Sequence, residues 1–423
     1  MPFSRSRFLS LVAALSAAGS SAAPAAAAVP PWYPLPPPIK PSRRALVLSG
    51  GGARGAYEAG VLARLYENVE TDGPPFDIVC GTSAGAINAA FAARSTRASI
   101  DEARKFWLEI PDAHIVDLID PVQHAMLAAD AFRQSTQHGF PRKLKYLARA
   151  NGELGAMGPL SDLKDTLGVV SEQPILDLVH KYPMSLDELR ATLVITATNV
   201  TVLGSDAFYR FVGPTAVADE ARFVDLGQKF KTAEQQILRG VHARRVPLRE
   251  ETFIPAVIAS TAIPGAFAPV SISDAAGNVS VYVDGGVANN TPVGLATDAG
   301  ATDITVVFVD APEEFEPPQP VNMLELMANC YNLMHQKIVE ADLELVLAQN
   351  LMTQYREYRG LSSLAQRYLN TLGKEAWHPL TLRLIHPRAA LPVDVMGFND
   401  PAGLKKAFEA GFADAAEPQI YTT

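Results

Sequence analysis

The sequence predicts an α/β protein with three layers, α/β/α, built on a mostly parallel central sheet with a helical insertion. Short apolar runs that are typical of buried strands, such as residues 192–198 and 303–309, alternate with helical patterns. Two other runs end in glycine-rich turns that lead directly into a helix. The chain of 423 residues is 48% apolar and 19% charged, so it can fill a large core.

Residues 44–49 form the first predicted strand, and a helix is predicted over residues 56–66. Between them lies the glycine loop, Gly50–Gly55, with the sequence GGGARG. Its backbone N–H groups at a helix N-terminus would bind an anion, either a phosphate or a tetrahedral oxyanion. The loop also fits the dinucleotide pattern G-x-G-x-x-G, whereas a P-loop is excluded because no Gly-Lys-Ser/Thr follows. Its one charged residue, Arg54, either holds the loop or attracts an anionic head group.

The second motif, GTSAG at residues 81–85, follows a short apolar run and precedes an alanine-rich helix predicted over residues 84–93. Strand, tight turn and helix are the setting that a G-x-S-x-G nucleophile elbow requires. Gly81 and Gly85 permit the sharp turn because they lack a Cβ atom. The helix dipole favours negative charge that develops near the Ser83 hydroxyl. Ser83 is therefore the candidate nucleophile.

The third motif, Asp284-Gly285-Gly286, follows a predicted hairpin whose strands cover residues 270–273 and 279–283. Asp284 is therefore expected at the end of a strand. An aspartate beside glycine is commonly only a turn former. Here it is also the best-placed carboxylate partner for Ser83.

A serine hydroxyl needs a neighbouring base before it attacks an ester. The chain has eight histidines, and none lies in a recognisable motif. His386 follows a predicted strand at residues 381–385, so Ser83, Asp284 and His386 would match the chain order of an α/β-hydrolase triad. A carboxylate can serve instead when burial raises its pKa and its hydrogen bond to the serine is short. The triad and a Ser83–Asp284 dyad both stay open on this reasoning.

These three motifs, in this order, resemble the patatin-like phospholipase family. The hallmarks of that family are a G-G-G-x-[RK]-G loop, a G-x-S-x-G elbow and a D-G-[GA] motif. Residues 259–270 and 284–292 are similar to the segments that surround the family's aspartate. The resemblance covers residues 43–310, and it is specific because four separate segments agree.

The resemblance implies a patatin-like fold and a lipid acyl hydrolase of the phospholipase A or lysophospholipase type. It implies no metal and no other cofactor. It also implies a catalytic dyad of Ser83 and Asp284. The glycines that shape the elbow and the aspartate turn would be Gly81, Gly85, Gly285 and Gly286. The oxyanion hole would be formed by the backbone of the glycine loop, at Gly50, Gly51, Gly52, Arg54 and Gly55.

The domain organisation follows from the extent of the resemblance. Residues 43–310 are expected to form the catalytic domain. Within it, residues 100–190 match no pattern of the family and are expected to form a helical cap. Residues 311–423 are expected to pack on this domain as C-terminal helices and a strand. Their last helix is predicted to begin at Asp400-Pro401, a typical cap and first-turn proline.

The N-terminus has the pattern of a secretory signal peptide over residues 1–28. Arg5 and Arg7 precede a short apolar stretch, and the small residues up to Ala28 offer cleavage sites. Residues 29–42 are proline-rich and predict a stiff linker. The expected location is secreted or periplasmic, and the alternative is a cytoplasmic protein whose start is misassigned.

Charge and cysteine content restrict the partners and the compartment. The formal net charge of −9 argues against nucleic acid as a partner. Basic clusters at residues 142–145 and 242–245 are expected to be solvated, with phosphate head groups as the alternative contact. Only Cys80 and Cys330 occur, which excludes a disulfide-dense fold, and Cys80 is expected to be a buried thiol.

Together these features predict a serine hydrolase that cleaves lipid carboxyl esters, with a lipid or lipid-like ester as its substrate and contact with a membrane surface. A general carboxylesterase and an acyltransferase are alternatives that would use the same dyad. A further alternative is a protein that keeps the fold and only binds a lipid or a nucleotide. The sequence does not indicate the head group, the acyl chain or the oligomeric state.

Overall fold

The structure is a computed structural model, and it describes residues 43–114, 173–228, 243–310 and 380–421. The chain divides into two units, residues 1–41 and 42–423, and every described residue belongs to the second unit. Outside the described residues lie the predicted signal peptide and linker, most of the predicted cap, the basic cluster at residues 142–145, and Cys330.

Ten strands within the described ranges form one sheet. In chain order they are β1 (Arg44–Leu48), β2 (Ile78–Thr82), β3 (Thr192–Asn199), β4 (Gly204–Arg210), β5 (Ala243–Pro247), β6 (Val270–Ser273), β7 (Val279–Val283), β8 (Asp303–Val307), β9 (Thr381–Ile385) and β10 (Gln419–Tyr421). The order across the sheet is β10-β9-β8-β1-β2-β3-β4-β5, and the hairpin β6–β7 joins it where β7 pairs with β3.

The five central strands, β9, β8, β1, β2 and β3, run parallel to one another. Most of their residues are apolar and buried, as in the run Ala45–Leu48, because a parallel sheet is covered on both faces. Antiparallel pairing begins on either side, between β3 and β4 and between β9 and β10. The predicted mostly parallel sheet is confirmed.

Nine α-helices are seen in the described residues, and none of them is both long and apolar enough to cross a membrane. They are α1 (Gly55–Leu65), α2 (Val69–Asp72), α3 (Ala84–Ala93), α4 (Arg97–Glu109), α5 (Gln173–Lys181), α6 (Ala216–Gln228), α7 (Glu250–Thr261), α8 (Val293–Asp298) and α9 (Pro401–Asp414). The helix predicted after the elbow is confirmed as α3, with the same bounds.

Successive side chains of a strand point to opposite faces of the sheet, and helices cover both of these faces. In β1, Leu46 and Leu48 belong to one apolar core, and Ala45 and Val47 belong to another. The first core is filled by side chains of α1, α3, α4, α7 and α9, and the second by side chains of α6 and α8. The predicted three-layer architecture is therefore confirmed.

The start of α9 follows the predicted capping pattern. The Asp400 carboxylate accepts hydrogen bonds from the backbone N–H groups of Ala402 and Gly403, at 3.1 and 2.9 Å. Pro401 is the first helical residue, where its missing N–H costs nothing. Farther along the helix, Leu404 is fully buried, whereas Phe412 is 38% exposed. The apolar side chains of α9 are thus less deeply buried at Phe412 than at Leu404.

Two glycines allow α1 and α9 to pack with their backbones in close approach. A Cβ atom on Gly60 would overlap the Phe408 carbonyl oxygen, and a Cβ atom on Gly411 would overlap the Tyr57 carbonyl oxygen. Both obstacles are backbone atoms, so the neighbouring helix would have to move as a whole. This contact anchors the helix that follows the glycine loop.

Gly60→Ala is expected to destabilise the protein by about 1–3 kcal/mol, because it overpacks this helix contact. In an isolated helix the same substitution would stabilise by up to about 1 kcal/mol. Gly294→Ala in α8 is the matched control, since no atom lies within 4 Å of its Cβ position. Urea unfolding of both variants measures the two effects. A Gly60→Ala variant as stable as the control would show that the helices separate without cost.

Candidate active site

Ser83 lies in a strained turn between β2 and α3. Its backbone has φ 54° and ψ −126°, a conformation that is rare for a residue other than glycine. A Cβ atom on Gly81 would overlap the Gly85 carbonyl oxygen, so only glycine fits there. The Ser83 N–H donates to the Ser260 Oγ at 2.8 Å, which holds the turn against α7. This geometry is that of the nucleophile elbow predicted from the sequence.

The Ser83 hydroxyl donates a short hydrogen bond to the Asp284 carboxylate, with 2.6 Å between Oγ and Oδ2. The other carboxylate oxygen of Asp284 accepts from the Gly286 N–H at 2.7 Å. The Asp284 N–H donates to the Ala262 carbonyl oxygen at 2.8 Å, so both backbone and side chain of the aspartate are fixed. Ser83 is 2% exposed and Asp284 is fully buried. Residues 201 positions apart in the chain thus form a buried pair.

The glycine loop lies against this pair. A Cβ atom on Gly50 would come 3.0 Å from the Ser83 Cβ and would overlap the Asn290 side chain. The Gly50 N–H donates to the Asn290 Oδ1 at 3.1 Å. Asn290 follows the aspartate motif by a few residues, so one side chain ties the glycine loop to the segment that carries Asp284.

The backbone N–H groups of the loop differ in whether they are already hydrogen-bonded. Four of them have acceptors. The Gly50 N–H donates to Asn290, and the Ala53 N–H donates to the Val395 carbonyl. The Arg54 N–H donates to the Gly51 carbonyl, and the Gly55 N–H donates to the carbonyls of Gly52 and Ala53. For the N–H groups of Gly51 and Gly52, the part of the chain that the structure describes offers no acceptor. These two adjacent amides follow Gly50, which packs against Ser83, and they are therefore available to an anion.

Arg54 holds the glycine loop. Its guanidinium lies 2.5 Å from the Asp310 carboxylate and donates from Nε to the Val393 carbonyl at 3.3 Å. The Arg54 side chain is only 13% exposed. The sequence left open whether Arg54 holds the loop or attracts a head group, and these contacts favour the first role.

A buried polar network joins the helix of the loop to the helix of the elbow. The Asn88 Nδ2 of α3 donates to the Glu58 Oε2 of α1 at 2.9 Å and to the Gly55 carbonyl at 3.0 Å. The Trp107 Nε1 donates to the Asn88 Oδ1 at 2.7 Å. Glu58 is fully buried, and burial raises its pKa well above the usual range, although the hydrogen bond from Asn88 opposes the rise.

Glu58→Gln is expected to gain thermal stability relative to the wild type as the pH rises. The folded-state pKa of Glu58 lies above its unfolded value, so its stabilisation is complete below about pH 4.5 and is lost as the pH rises through the folded pKa. The slope approaches about 1.4 kcal/mol per pH unit in that window. Melting temperatures of both proteins from pH 4.5 to 8 measure the difference. The control is Glu251→Gln, whose side chain is 66% exposed. Parallel profiles for Glu58→Gln and the wild type would mean that Glu58 is charged in the fold.

His386 does not lie beside Ser83. It follows β9, and β8 and β1 separate that strand from β2. Three strand spacings amount to roughly 14 Å. The His386 Nδ1 lies 3.0 Å from the Pro387 carbonyl oxygen. Among the described residues, the structure therefore brings Asp284 to the nucleophile and leaves His386 at a distance.

Other residues singled out in the sequence have structural roles. Arg245 forms a 2.6 Å ion pair with Asp298 and is 6% exposed, so the solvated face predicted for its cluster is wrong at this position. Arg244 is half-exposed and pairs with the buried Asp206. Cys80 is a buried free thiol, as predicted. No group of three or more His, Cys, Asp or Glu side chains suited to a metal ion occurs in the described ranges.

Sequence reasoning missed three residues that shape the site: Ser260, Asn290 and Asp310. The first two belong to the segments that resemble the family around the aspartate, but nothing in their spacing showed what they would bind. Asp310 ends the stretch after β8 and pairs with an arginine 256 positions away. Only the parallel packing of β8 against β1 brings these two residues together.

An α/β sheet with a strained serine at a strand-to-helix turn, a carboxylate bonded to that serine and an adjoining glycine-rich loop is typical of serine hydrolases. The sequence model of the patatin-like phospholipases matches residues 46–297, more than half of the chain. The chain therefore belongs to the patatin-like phospholipase family, a family of hydrolases that act on lipid esters.

Two curated relatives match over short segments. The chain is 38% identical over 100 residues to patatin-like phospholipase domain-containing protein 7 of Rattus norvegicus, covering 23% of this chain and 7% of that protein. It is 51% identical over 51 residues to the uncharacterized protein YjjU of Escherichia coli K12, covering 12% of this chain and 13% of that protein. The matched segments thus span a small part of each relative.

The crystal structure of VipD from Legionella pneumophila is one solved structure that aligns with this chain. The alignment has a TM-score of 0.38 and 15% sequence identity, and it covers 90% of this chain and 68% of that chain.

Proposed function

We propose that this protein hydrolyses lipid carboxyl esters, as a phospholipase A or lysophospholipase, through a dyad of Ser83 and Asp284. The observation that carries the proposal is the 2.6 Å hydrogen bond from the Ser83 hydroxyl to the buried Asp284 carboxylate. A base in direct contact with the nucleophile can take its proton without a histidine between them. Membership of a family of lipid ester hydrolases supports the choice of substrate class.

The first step forms an acyl-enzyme. As the Ser83 Oγ attacks the ester carbonyl carbon, its proton passes to Asp284 and the carbonyl oxygen becomes an oxyanion. The N–H groups of Gly51 and Gly52 are the donors we assign to that oxyanion, because the other amides of the glycine loop are already bonded. Asp284 then returns the proton to the departing alcohol oxygen of the lipid, and the ester C–O bond breaks.

The second step releases the fatty acid. A water molecule gives its proton to Asp284 and attacks the acyl carbon, and the same two amides hold the second oxyanion. When this intermediate collapses, the bond to the Ser83 Oγ breaks and the proton returns to that oxygen. The net reaction consumes one water and one ester and yields one carboxylic acid and one alcohol.

The test is hydrolysis of a panel of p-nitrophenyl esters and of phosphatidylcholine by the wild type and by Ser83→Ala. We expect fatty acid release from phosphatidylcholine, with a loss of at least about 100-fold in the variant. Ser271→Ala, at an exposed serine of β6, is the matched control and should match the wild type. Serine-dependent release from short esters alone would indicate a general esterase. Failure of both the esters and a fluorophosphonate probe to react with Ser83 would overturn the proposal of a hydrolase.

The proposal includes export of the protein, so that it acts outside the cytoplasm. The support is the sequence pattern of residues 1–28, with two arginines, a short apolar stretch and alanine-rich cleavage sites. N-terminal sequencing of the protein from a cell fractionation tests it. Export predicts an N-terminus near residue 29, and an intact N-terminus in the cytoplasm would contradict it.

A further inference from the structure

Two neighbouring turns expose a cluster of apolar side chains. Of the seven large hydrophobic side chains that are exposed within the described residues, four lie here. Leu203 is 89% exposed, Val202 and Val279 are each 57% exposed, and Val200 is 40% exposed. We call these four residues the apolar tip. Single exposed apolar residues are common on proteins, whereas a cluster of them marks an interaction site.

The pairing of β3 with β7 makes the apolar tip one surface. Asn199 pairs with Tyr282, and just beyond this pair the Val200 N–H donates to the Val281 carbonyl oxygen at 2.9 Å. The Val281 N–H in turn donates to the Thr201 Oγ1 at 2.9 Å, so the turn between β3 and β4 lies against the start of β7. Residues from two turns, far apart in the chain, therefore share one end of the sheet.

Leu203 lies in the turn that joins β3 to β4, at a position where a glycine would be unstrained. Leu203 has φ 54°, a left-handed backbone conformation that a side chain disfavours. A glycine follows directly, at position 204, and a glycine would adopt this left-handed conformation without strain, yet the strained residue here is the leucine. A strained leucine that is almost fully exposed contributes no buried area in return. Strain of this kind is characteristic of functional segments.

The apolar tip stands on the catalytic side of the sheet. Thr82, which precedes the nucleophile, pairs with Thr196 of β3, and β3 continues in the same direction to Asn199. At about 3.3 Å per residue, the turn that follows stands roughly 10–16 Å beyond the level of Ser83. The carboxyl ends of β1 and β2, which carry the glycine loop and the elbow, lie at the same edge.

The apolar stretches of the two turns carry no charged side chain, and the nearest cation is already paired. Arg244, which is half-exposed, donates to the Tyr282 hydroxyl at 3.3 Å and forms a 2.6 Å ion pair with the buried Asp206. Residues 199–204 and 275–283 contain no Asp, Glu, Lys or Arg. The nearest acid in these turns, Asp274, is engaged within its own hairpin, where it accepts hydrogen bonds from Ala276 and Asn278. The protein as a whole carries a formal charge of −9. This combination favours a zwitterionic surface over an anionic one, because the one cation beside the tip is paired with a carboxylate and the protein as a whole is negative.

We infer that the apolar tip inserts into a zwitterionic lipid surface and holds the catalytic edge of the sheet against it. This inference rests on the proposed lipid ester hydrolase activity, since it explains how Ser83 meets an ester that lies in a bilayer. Burial of the four side chains in the acyl region would supply the apolar contact that they lack in the free protein.

The test compares two variants in a Ser83→Ala background, so that binding is measured without turnover. Val202→Ser/Leu203→Ser removes the centre of the tip. Val217→Ser is the matched control, because Val217 is 85% exposed and follows the opposite end of β4. We expect co-sedimentation with phosphatidylcholine vesicles to fall at least 10-fold for the double variant and to stay unchanged for the control.

With Ser83 restored, the double variant should lose at least fivefold in hydrolysis of phosphatidylcholine vesicles and keep its activity on soluble p-nitrophenyl butyrate. Tryptophan placed by Leu203→Trp should show a blue-shifted emission with vesicles and quenching by brominated lipid.

Equal vesicle binding by the double variant and the control would overturn the inference. A loss of dimer mass in light scattering, with vesicle binding unchanged, would assign the tip to a second copy of the chain and would also overturn it. Vesicle binding that depends on the tip, in a protein that cleaves only soluble esters, would support the docking surface and contradict the proposed phospholipase activity. The two proposals can therefore fail separately.

Discussion

Asp284→Asn is expected to lower kcat on a p-nitrophenyl ester by about 100- to 10,000-fold, the usual contribution of a general base. The asparagine Oδ1 can still accept from the Gly286 N–H, as the Asp284 Oδ1 does at 2.7 Å. The Nδ2 that replaces the other oxygen would donate toward the Ser83 Oγ. The serine hydroxyl would then face a donor in place of its acceptor at 2.6 Å.

The same substitution should leave the melting temperature of the protein unchanged or slightly higher. Asn has nearly the shape of Asp, and it removes a carboxylate from a position with no solvent exposure. The measurement is steady-state kinetics beside thermal unfolding. A large loss of kcat without a loss of stability separates a chemical role for Asp284 from a structural one.

His386→Ala is the control for the rival mechanism. His386 lies three strands from β2, so its removal should leave kcat within about twofold of the wild type. An active Asp284→Asn variant together with an inactive His386→Ala variant would contradict the dyad and support a triad. Ser83→Ala supplies the background rate against which both variants are compared.

The residues that carry the chemistry could be predicted because each lies in a short local pattern. The bounds of α3 and of the hairpin β6–β7 follow from alanine content, strand alternation and a turn, which are properties of neighbouring residues. Ser83 and Asp284 then stand at the ends of two such elements. The resemblance of the motifs supplied the pairing, since spacing alone left the histidine in contention.

The residues that position the site could not be predicted, because their partners are far away in the chain. Asn290 contacts the glycine loop from 240 positions away, and Arg54 contacts Asp310 from 256 positions away. A buried Glu58 looks in the sequence like any polar residue of a surface helix. Its role depends on Asn88 in the neighbouring helix, which only the packing of α1 against α3 reveals.

Gly52→Ala is expected to lower kcat about 100- to 1,000-fold, the usual effect of removing an oxyanion-hole donor. Gly52 has φ +56°, and a Cβ atom there would overlap the Val395 carbonyl oxygen. The loop must move to relieve this contact, and its free amides would move with it. The oxyanion forms only during the reaction, so the loss should appear in kcat more than in KM.

Gly51→Ala provides a test that can be reversed by a second substitution. The three atoms nearest to its Cβ position all belong to the Val309 side chain, whereas the nearest atom to a Gly52 Cβ is backbone. Val309→Ala removes the side-chain atoms that collide, so Gly51→Ala/Val309→Ala should recover at least tenfold in kcat over Gly51→Ala. Val395→Ala should not rescue Gly52→Ala, because the carbonyl oxygen remains in place. Rescue of both variants, or of neither, would contradict the assignment of the oxyanion donors to this loop geometry.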